Sequence, residues 1–477
     1  MNLPQDNTTQ KYDYSSFLAQ KVRFDSPSGF DPGESMNGQM FPFQRAIARW
    51  ACRRGRSAVW ADCGLGKTII SLEWLRLVTE REGGSALVLT PLAVAEQVAE
   101  EGQKFGIHVN VCRDGSEVQP GINVTNYERL HRFDVSQFVA VVADESSILK
   151  DYSSSTRNLL IDSFARTPYR MACTATPAPN DHIELGNHAE FLGALTRTEM
   201  LSTFFVHDGG DTQSWRLKRH AARDFWRWVC SWAVVIRRPS DLGFSDEGYA
   251  LPALRISDVT VDAHDSVAAE MGTLFAVQAS TLTEQRSARR GSLMDRVAAA
   301  AAIVAKEPNE PWLLWCDLND ESSALVASIP GAVEVRGSDS PEDKIERLHG
   351  FRSGKYRILI TKPSIAGHGM NWQHCARVIF VGLSNSWEQW YQAIRRTHRF
   401  GQRRDVHCYM VSSESEGKVA ANLHRKQTDA HALFDSMLAA MGDIQRESIG
   451  GLLRETLKYQ PETEMEIPEW LRSERCA

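Results

Sequence analysis

The sequence predicts an α/β fold of two parallel-sheet lobes, with helical insertions and a helical C-terminal tail. Three observations predict it. Apolar strand-like runs alternate with helical stretches from Phe43 onward. One of these runs opens into a glycine turn that closes on Lys67-Thr68. A second alternation of strands and helices then begins near 311. Strands separated by helices form a parallel sheet covered on both faces, and a chain of 477 residues is too long for one ordinary core.

The elements follow in order. Residues 1–35 are polar and rich in Gly, Pro and Ser, and read as a loose leader. Residues 36–240 form the first lobe, with strand candidates at 57–60, 86–90, 122–125, 138–143 and 170–174. From 193 to 238 the pattern changes to a helical insertion. There Trp215, Trp226, Trp228 and Trp232 alternate with Arg216, Lys218, Arg219, Arg223 and Arg227. The tryptophans read as its core, and the arginines stay open as phosphate contacts. Residues 241–310 read as a linker, with turn formers between Pro239 and Pro252, followed by a helical insertion. Residues 311–412 form the second lobe, with strands at 312–316, 332–335, 356–360, 378–381 and 407–411. Residues 413–477 are a helical tail with an acidic end.

Composition excludes several classes. A hydrophobic content of 42% and a charged content of 24% are those of a water-soluble globular chain. The net charge of −6 carries no global nucleic-acid signature, so any such binding needs a local basic surface. Nine cysteines without a C-x-x-C pair argue against a zinc site or a disulfide framework and suit a reducing cytoplasm. The N-terminus lacks the basic start and apolar core of a signal peptide. The apolar run 297–305 is too short and alanine-rich to span a membrane, and reads as a packed helix.

Two stretches in the first lobe carry chemistry. Ala61-Asp62-Cys63-Gly64-Leu65-Gly66-Lys67-Thr68 lies between a strand and a helix. Its glycines let backbone N–H groups turn inward around phosphate oxygens, although Ala61 stands where such loops usually begin with glycine. Lys67 reaches the β- and γ-phosphates, and Thr68 holds Mg²⁺. The apolar run 138–143 ends in Asp144-Glu145, at the strand end where α/β folds bind ligands. Asp144 is placed on Mg²⁺ and Glu145 on the attacking water. In the second lobe, Gln392, Arg396 and Arg399 share one helical face, from which arginines can neutralise a transferring phosphoryl group. Taken alone that stretch reads first as a basic solvated helix, and the arginine-finger reading prevails only because a phosphate loop lies in the other lobe.

Together these stretches resemble superfamily-two nucleic-acid motor ATPases, most closely the SWI/SNF branch of double-stranded DNA translocases. The resemblance covers about Phe41 to Met410, with the motifs in family order. Phe41-Pro42-Phe43-Gln44 is similar to the adenine-reading glutamine motif. Gly64 to Thr68 resembles motif I, Leu89-Thr90-Pro91-Leu92 motif Ia, and Thr125-Asn126-Tyr127-Glu128 a further DNA-contact motif. Asp144-Glu145-Ser146-Ser147 resembles motif II, and Thr174-Ala175-Thr176-Pro177 with Asn180 motif III. Arg237-Arg238 and Leu251-Pro252 resemble the inter-lobe stretch, and Arg336-Gly337 the motif IV region. Gly367 to Asn371 resembles motif V, and Gln392 to Gln402 motif VI. Ser147 stands where many relatives have histidine, and Ala175 where glycine is frequent. The compact chain resembles bacterial or bacteriophage members.

The resemblance implies two RecA-like lobes with ATP and Mg²⁺ in the cleft. It implies a catalytic set of Lys67, Asp144, Glu145, Gln392, Arg396 and Arg399, with Thr68 and Asp144 on the metal. Gln44, Cys63, Gly64, Leu65, Gly66, Lys67, Thr68 and Gly369 would surround the nucleotide. Thr90, Pro91, Thr125, Asn126 and Thr174 would meet nucleic-acid phosphates, double-stranded DNA first. The expected protein is a monomeric cytoplasmic motor, in a bacterial host if phage-encoded. A nuclease, replication or recombination partner is left open. A strand-separating DNA or RNA helicase and a nucleotide-gated recruitment subunit are the competing functions.

Overall fold

The computed structural model describes residues 27–91, 94–150, 154–178, 181–208, 211–261, 290–366, 370–382, 386–413 and 417–454. The first lobe is built on a seven-stranded, fully parallel sheet. Its strands are β1 (Arg56–Ala61), β2 (Ser85–Thr90), β3 (Val109–Val111), β4 (Gly121–Asn126), β5 (Phe138–Asp144), β6 (Tyr169–Thr174) and β9 (Ala233–Ile236), in the order β3-β4-β2-β5-β6-β1-β9. Between β6 and β9, β7 (Phe205–Asp208) and β8 (Asp211–Leu217) pair as an antiparallel hairpin outside this sheet. The continuous apolar runs have the physical reason expected of them. β1, β2 and β4 are buried from their second residue onward and β6 throughout, because helices cover both faces.

The second lobe has six parallel strands: β10 (Leu254–Val261), β11 (Trp312–Cys316), β12 (Ala332–Glu334), β13 (Ile358–Thr361), β14 (Arg377–Val381) and β15 (Val406–Ser413). Their order is β10-β15-β14-β11-β13-β12. Two parallel-sheet α/β lobes are therefore what the chain forms.

Three boundaries differ from the sequence reading. The insertion at 193–238 is not simply helical. It holds helices Arg197–Phe204 and Ala222–Cys230, the hairpin β7–β8, and β9, which pairs with β1 and belongs to the main sheet. Trp228 and Trp232 are fully buried and Trp226 nearly so, which makes them core, while Trp215 only packs against its edge. Second, the stretch 241–310 is more than a linker. β10 runs beside β15 over eight residues, and the helix Leu293–Lys306 covers the second sheet. Arg296 of that helix is fully buried and bonded to Glu321 at 2.7 Å, which fixes the helix to the lobe. Third, the leader is tied down where it is described: Ser28, Gly29 and Phe30 donate backbone N–H groups to the carbonyls of Arg54, Arg53 and Cys52.

In the tail, the described helix Gly417–Arg454 spans both lobes, and the acidic end lies outside the described residues. Val419, Leu423 and Ala430 enter the core of the second lobe. Met437 and Met441 enter one core of the first lobe, and Ile449 the other. His424 pairs with Asp258 of β10 at 3.2 Å, and Asp435 with Arg237 beyond β9 at 2.5 Å. Among the described residues no helix is long and apolar enough to cross a membrane.

His188 makes a stability prediction. It is fully buried on the helix Leu185–Leu192, lies edge-on to Trp60, and its Nε2 donates to the Pro177 carbonyl at 3.1 Å. Burial pushes its pKa down to about 4, so the fold holds it neutral. A depressed histidine contributes stability that is present above its ordinary value of 6.5 and lost as pH falls toward 4. The full shift corresponds to about 3 kcal/mol. The melting temperature of the parent protein is expected to fall more steeply between these pH values than that of His188→Gln. Parallel curves would show that His188 is not the acid-labile group.

Candidate active site between the lobes

The site grows from strand ends. β1 stops at Ala61, the chain turns through Asp62 to Gly66, and the helix Lys67–Glu82 begins. Gly64 and Gly66 have φ of 90° and 83°, which side chains bearing a Cβ rarely adopt. A Cβ on Gly64 would lie 2.7 Å from the Phe400 nitrogen, and one on Gly66 2.3 Å from Gln44 Nε2. The glycines thus permit the curl of the loop and its close approach to both neighbours. Lys67 Nζ donates to the Ala61 carbonyl at 2.9 Å, closing the loop on itself. Gln44 is buried. Its Nε2 donates to the Leu65 carbonyl at 3.0 Å, and its Oε1 accepts from the Phe41 N–H at 3.0 Å. The glutamine therefore braces the glycine loop 61–68 from the side.

Two strands from β1 across the sheet, β5 ends at Asp144. Burial, then the adjoining Glu145, pushes the Asp144 carboxyl up to about 7, while Lys67 pulls it back. Tyr127 fixes this corner by donating its hydroxyl to the Asp144 carbonyl at 2.6 Å. Glu145 is the one non-glycine among the described residues with positive φ, at 53°. Such a conformation costs about 1–3 kcal/mol and persists where packing over-determines it. Its Oε2 is buried without a hydrogen-bond partner among the described residues.

The second lobe presents the turn after the helix Trp387–Ile394. Arg396 donates Nε to the Gln392 carbonyl and Nη2 to Gln392 Oε1, both at 2.9 Å. Among the described residues Arg399 donates to the Met370 carbonyl, at 3.4 Å, and its buried Nε has no partner there. Burial and the neighbouring Arg396 hold its guanidinium below the ordinary arginine value, while Glu101 and Glu145 of the first lobe act in the opposite sense. Gln402 organises the turn. Its Nε2 donates to the Cys375 and Thr397 carbonyls, and its Oε1 accepts from the Arg403 and Arg404 N–H groups. The lobes meet here. Phe400 stacks on Tyr249 at 4.7 Å and meets Phe41 edge-on at 6.2 Å. Lys150 pairs with Glu388, and Arg352 with Glu100.

The structure thus sets Arg399, with Arg396 and Gln392 beside it, against Glu145 of the first lobe, which adjoins Asp144 and Lys67. Gly369 and Asn180 lie outside the described residues. The expected nucleic-acid contacts fare differently. Thr90, Thr125 and Thr174 are fully or nearly fully buried, with hydroxyls turned to Pro91 O, Cys112 O and the Thr176 N–H respectively. Asn126 is buried and accepts from the Arg129 N–H at 3.1 Å. These four side chains are buried against the fold, and Pro91 is partly exposed. They are small polar residues at sheet ends, where unpaired backbone groups recruit them. Sequence reasoning also missed Asp62, Glu101, Tyr249, Tyr391 and Arg395, whose partners lie in distant parts of the chain.

Residues 297–401 match the family model described as helicase conserved C-terminal domain. The matched stretch contains most of the second lobe and ends within the turn that carries Arg396 and Arg399. It supports a helicase-superfamily chain with ATP-driven helicase- or translocase-type activity on nucleic acid. The chain is also similar to "Putative protein p41" of Acyrthosiphon pisum secondary endosymbiont phage 1. The two are 23% identical over 468 residues, covering 84% of this chain and 98% of that protein.

The donor set fits ATP with Mg²⁺. Glu145 Oε2, Gln392 Nε2 and Arg399 Nε are buried polar atoms without partners among the described residues. Thr68 and Asp144 are the hydroxyl and carboxylate that would hold Mg²⁺ together with phosphate oxygens. Lys67→Ala is expected to abolish nucleotide turnover and weaken nucleotide binding while the circular dichroism spectrum is preserved. Glu145→Gln is expected to bind nucleotide and lose hydrolysis. A Glu145→Gln protein hydrolysing at the parent rate would remove Glu145 from the role of base.

Proposed function

We propose that the chain is an ATP-driven motor that translocates on double-stranded DNA. The observation that carries this reading is the convergence of Lys67 and Glu145 of one lobe with Arg396 and Arg399 of the other. Lys67 and the loop N–H groups would hold the β- and γ-phosphates. Thr68 and Asp144 would hold Mg²⁺, which when bound neutralises phosphate charge. Glu145 would take the proton of the attacking water. Arg399 would neutralise the charge that develops on the transferring group. A ligand bridging both lobes favours their closure, and its cleavage removes the bridge.

A further set of phosphate contacts is proposed on an arginine stripe of the first lobe. Arg219, Arg223 and Arg227 recur every fourth residue through the turn and helix Ala222–Cys230, and all three are exposed. Four helical residues advance about 6 Å, so the three cations form one stripe. A stripe of this kind holds a phosphate backbone without reading base sequence. It supports a sequence-tolerant grip in a chain whose net charge is negative.

The test is turnover measured without nucleic acid and with duplex DNA, single-stranded DNA or RNA. Stimulation by duplex DNA is expected. Stimulation by single strands alone would favour a strand-separating helicase, and negligible turnover with nucleotide-dependent binding a recruitment subunit.

Two substitutions separate the roles. Arg399→Ala is expected to lower turnover by about 10³–10⁵ with nucleotide affinity nearly kept, and Arg399→Lys to rescue it poorly. Arg223→Ala and Arg227→Ala should each lower the salt slope of DNA binding by about 1, leaving nucleotide affinity unchanged. Normal basal turnover with lost DNA affinity in Arg399→Ala would reassign that arginine to DNA.

A further inference from the structure

One buried polar cluster joins the two lobes and is not explained by the catalytic set. Asp62 lies in the phosphate loop, directly after β1. Its Oδ1 accepts from the Tyr391 hydroxyl at 2.6 Å and from the Cys63 N–H at 2.7 Å. Its Oδ2 accepts from Arg395 Nη2 at 2.8 Å. Arg395 also donates to the Tyr391 hydroxyl at 3.0 Å, and Trp387 stacks on the Tyr391 ring at 5.0 Å. The Arg395 and Asp62 side chains are 13% and 10% exposed, so water screens the pair little. Arg395, Tyr391 and the Cys63 N–H together hold the Asp62 carboxyl below its ordinary range, against the burial that would raise it.

Two consequences follow for the loop. The carboxylate caps the N–H of Cys63, one of the backbone groups at the start of the phosphate cradle. A lobe-two cation therefore orients a lobe-one group that in turn orients the cradle. The second consequence is electrostatic. A buried, uncompensated carboxylate inside a phosphate loop would repel the polyphosphate, and at short range and low dielectric that repulsion is large. Arg395 removes it, but only while the lobes are together. Beside the clasp lies a cavity of about 140 Å³, lined by Thr176, Arg237, His431 and Phe434 among others, which leaves Arg395 room to withdraw.

We propose that Tyr391 and Arg395 are positioning residues that neutralise Asp62 and preset the phosphate loop, so that lobe closure itself raises nucleotide affinity. The proposal rests on reading residues 61–68 as a nucleotide cradle. Its role differs from that of Arg399. Arg395 acts through Asp62 on the ground-state complex, and Arg399 acts on the transferring group.

The test is the affinity of the full chain for a fluorescent ATP analogue, with a melting curve for each variant as the control for folding. Arg395→Gln is expected to weaken binding by about 5- to 150-fold, the usual range of coupling between sites. Adding Asp62→Asn to Arg395→Gln is expected to restore most of the affinity, since the repelling charge is then gone. Neither a transition-state role for Arg395 nor a purely structural one gives that rescue. Tyr391→Phe removes one hydrogen bond and keeps the charges, and is expected to show a smaller loss; it serves if Arg395→Gln does not fold. Unchanged affinity in Arg395→Gln, or a double variant no better than the single, would overturn the clasp and leave the nucleotide site standing. A parent protein that binds no nucleotide would overturn the cradle, and the clasp with it.

Discussion

Asp62 receives Tyr391 and Arg395 from more than three hundred residues away, and the rest of the cleft depends on that contact. It seats the helix Trp387–Ile394 against the end of β1. From that seat the following turn carries Arg396 and Arg399 over the phosphate loop, and Phe400 comes to rest on Gly64. Each lobe alone would hold half a constellation: a lysine and two carboxylates on one side, a pair of arginines on the other. Buried like charges such as Arg396 and Arg399 are costly side by side, and the opposing carboxylates Glu101 and Glu145 offset part of that cost.

The C-terminal helix adds a second constraint. Its first turns are packed in one lobe and its later turns in the other, with Ala430 and Met437 on either side of the junction. A helix of 38 residues is stiff, so relative motion of the lobes must carry it, bend it or strip one end from its core. A cycle of opening and closing therefore has to disturb apolar packing as well as the polar clasp. That couples the tail physically to any change in the spacing of the lobes.

Legibility in the sequence followed the range of the interaction. The strands around 138–143 and 86–89 announce themselves because both faces are covered and these runs are apolar. The turn at 64–66 does so because only glycine suits its backbone. β10 was legible in principle, since Leu254 with Ile256 and Val259 with Val261 alternate with polar residues, but the phase shifts at Ser257-Asp258 and the turn formers before it masked its start. The hairpin β7–β8 was hidden by tryptophans and arginines whose spacing also suits a helix. The threonines at 90, 125 and 174 show the converse. Their residue type suits phosphate contact, while their burial and their bonds to carbonyls and an N–H of the fold could not be read from the sequence. Asp62 with Arg395 could not be read at all, because nothing local in either stretch marks a partner in the other lobe.

The claim at the centre of the account is that both lobes hold one transferring phosphoryl group. The most direct measurement is a structure of the chain with Mg²⁺, ADP and a planar metal fluoride, which mimics that group. The account predicts that the fluoride is contacted by Lys67 from the first lobe and by Arg399 from the second, with Glu145 on the in-line water. A fluoride held by Lys67 and Thr68 alone, with Arg399 still on the Met370 carbonyl, would contradict it.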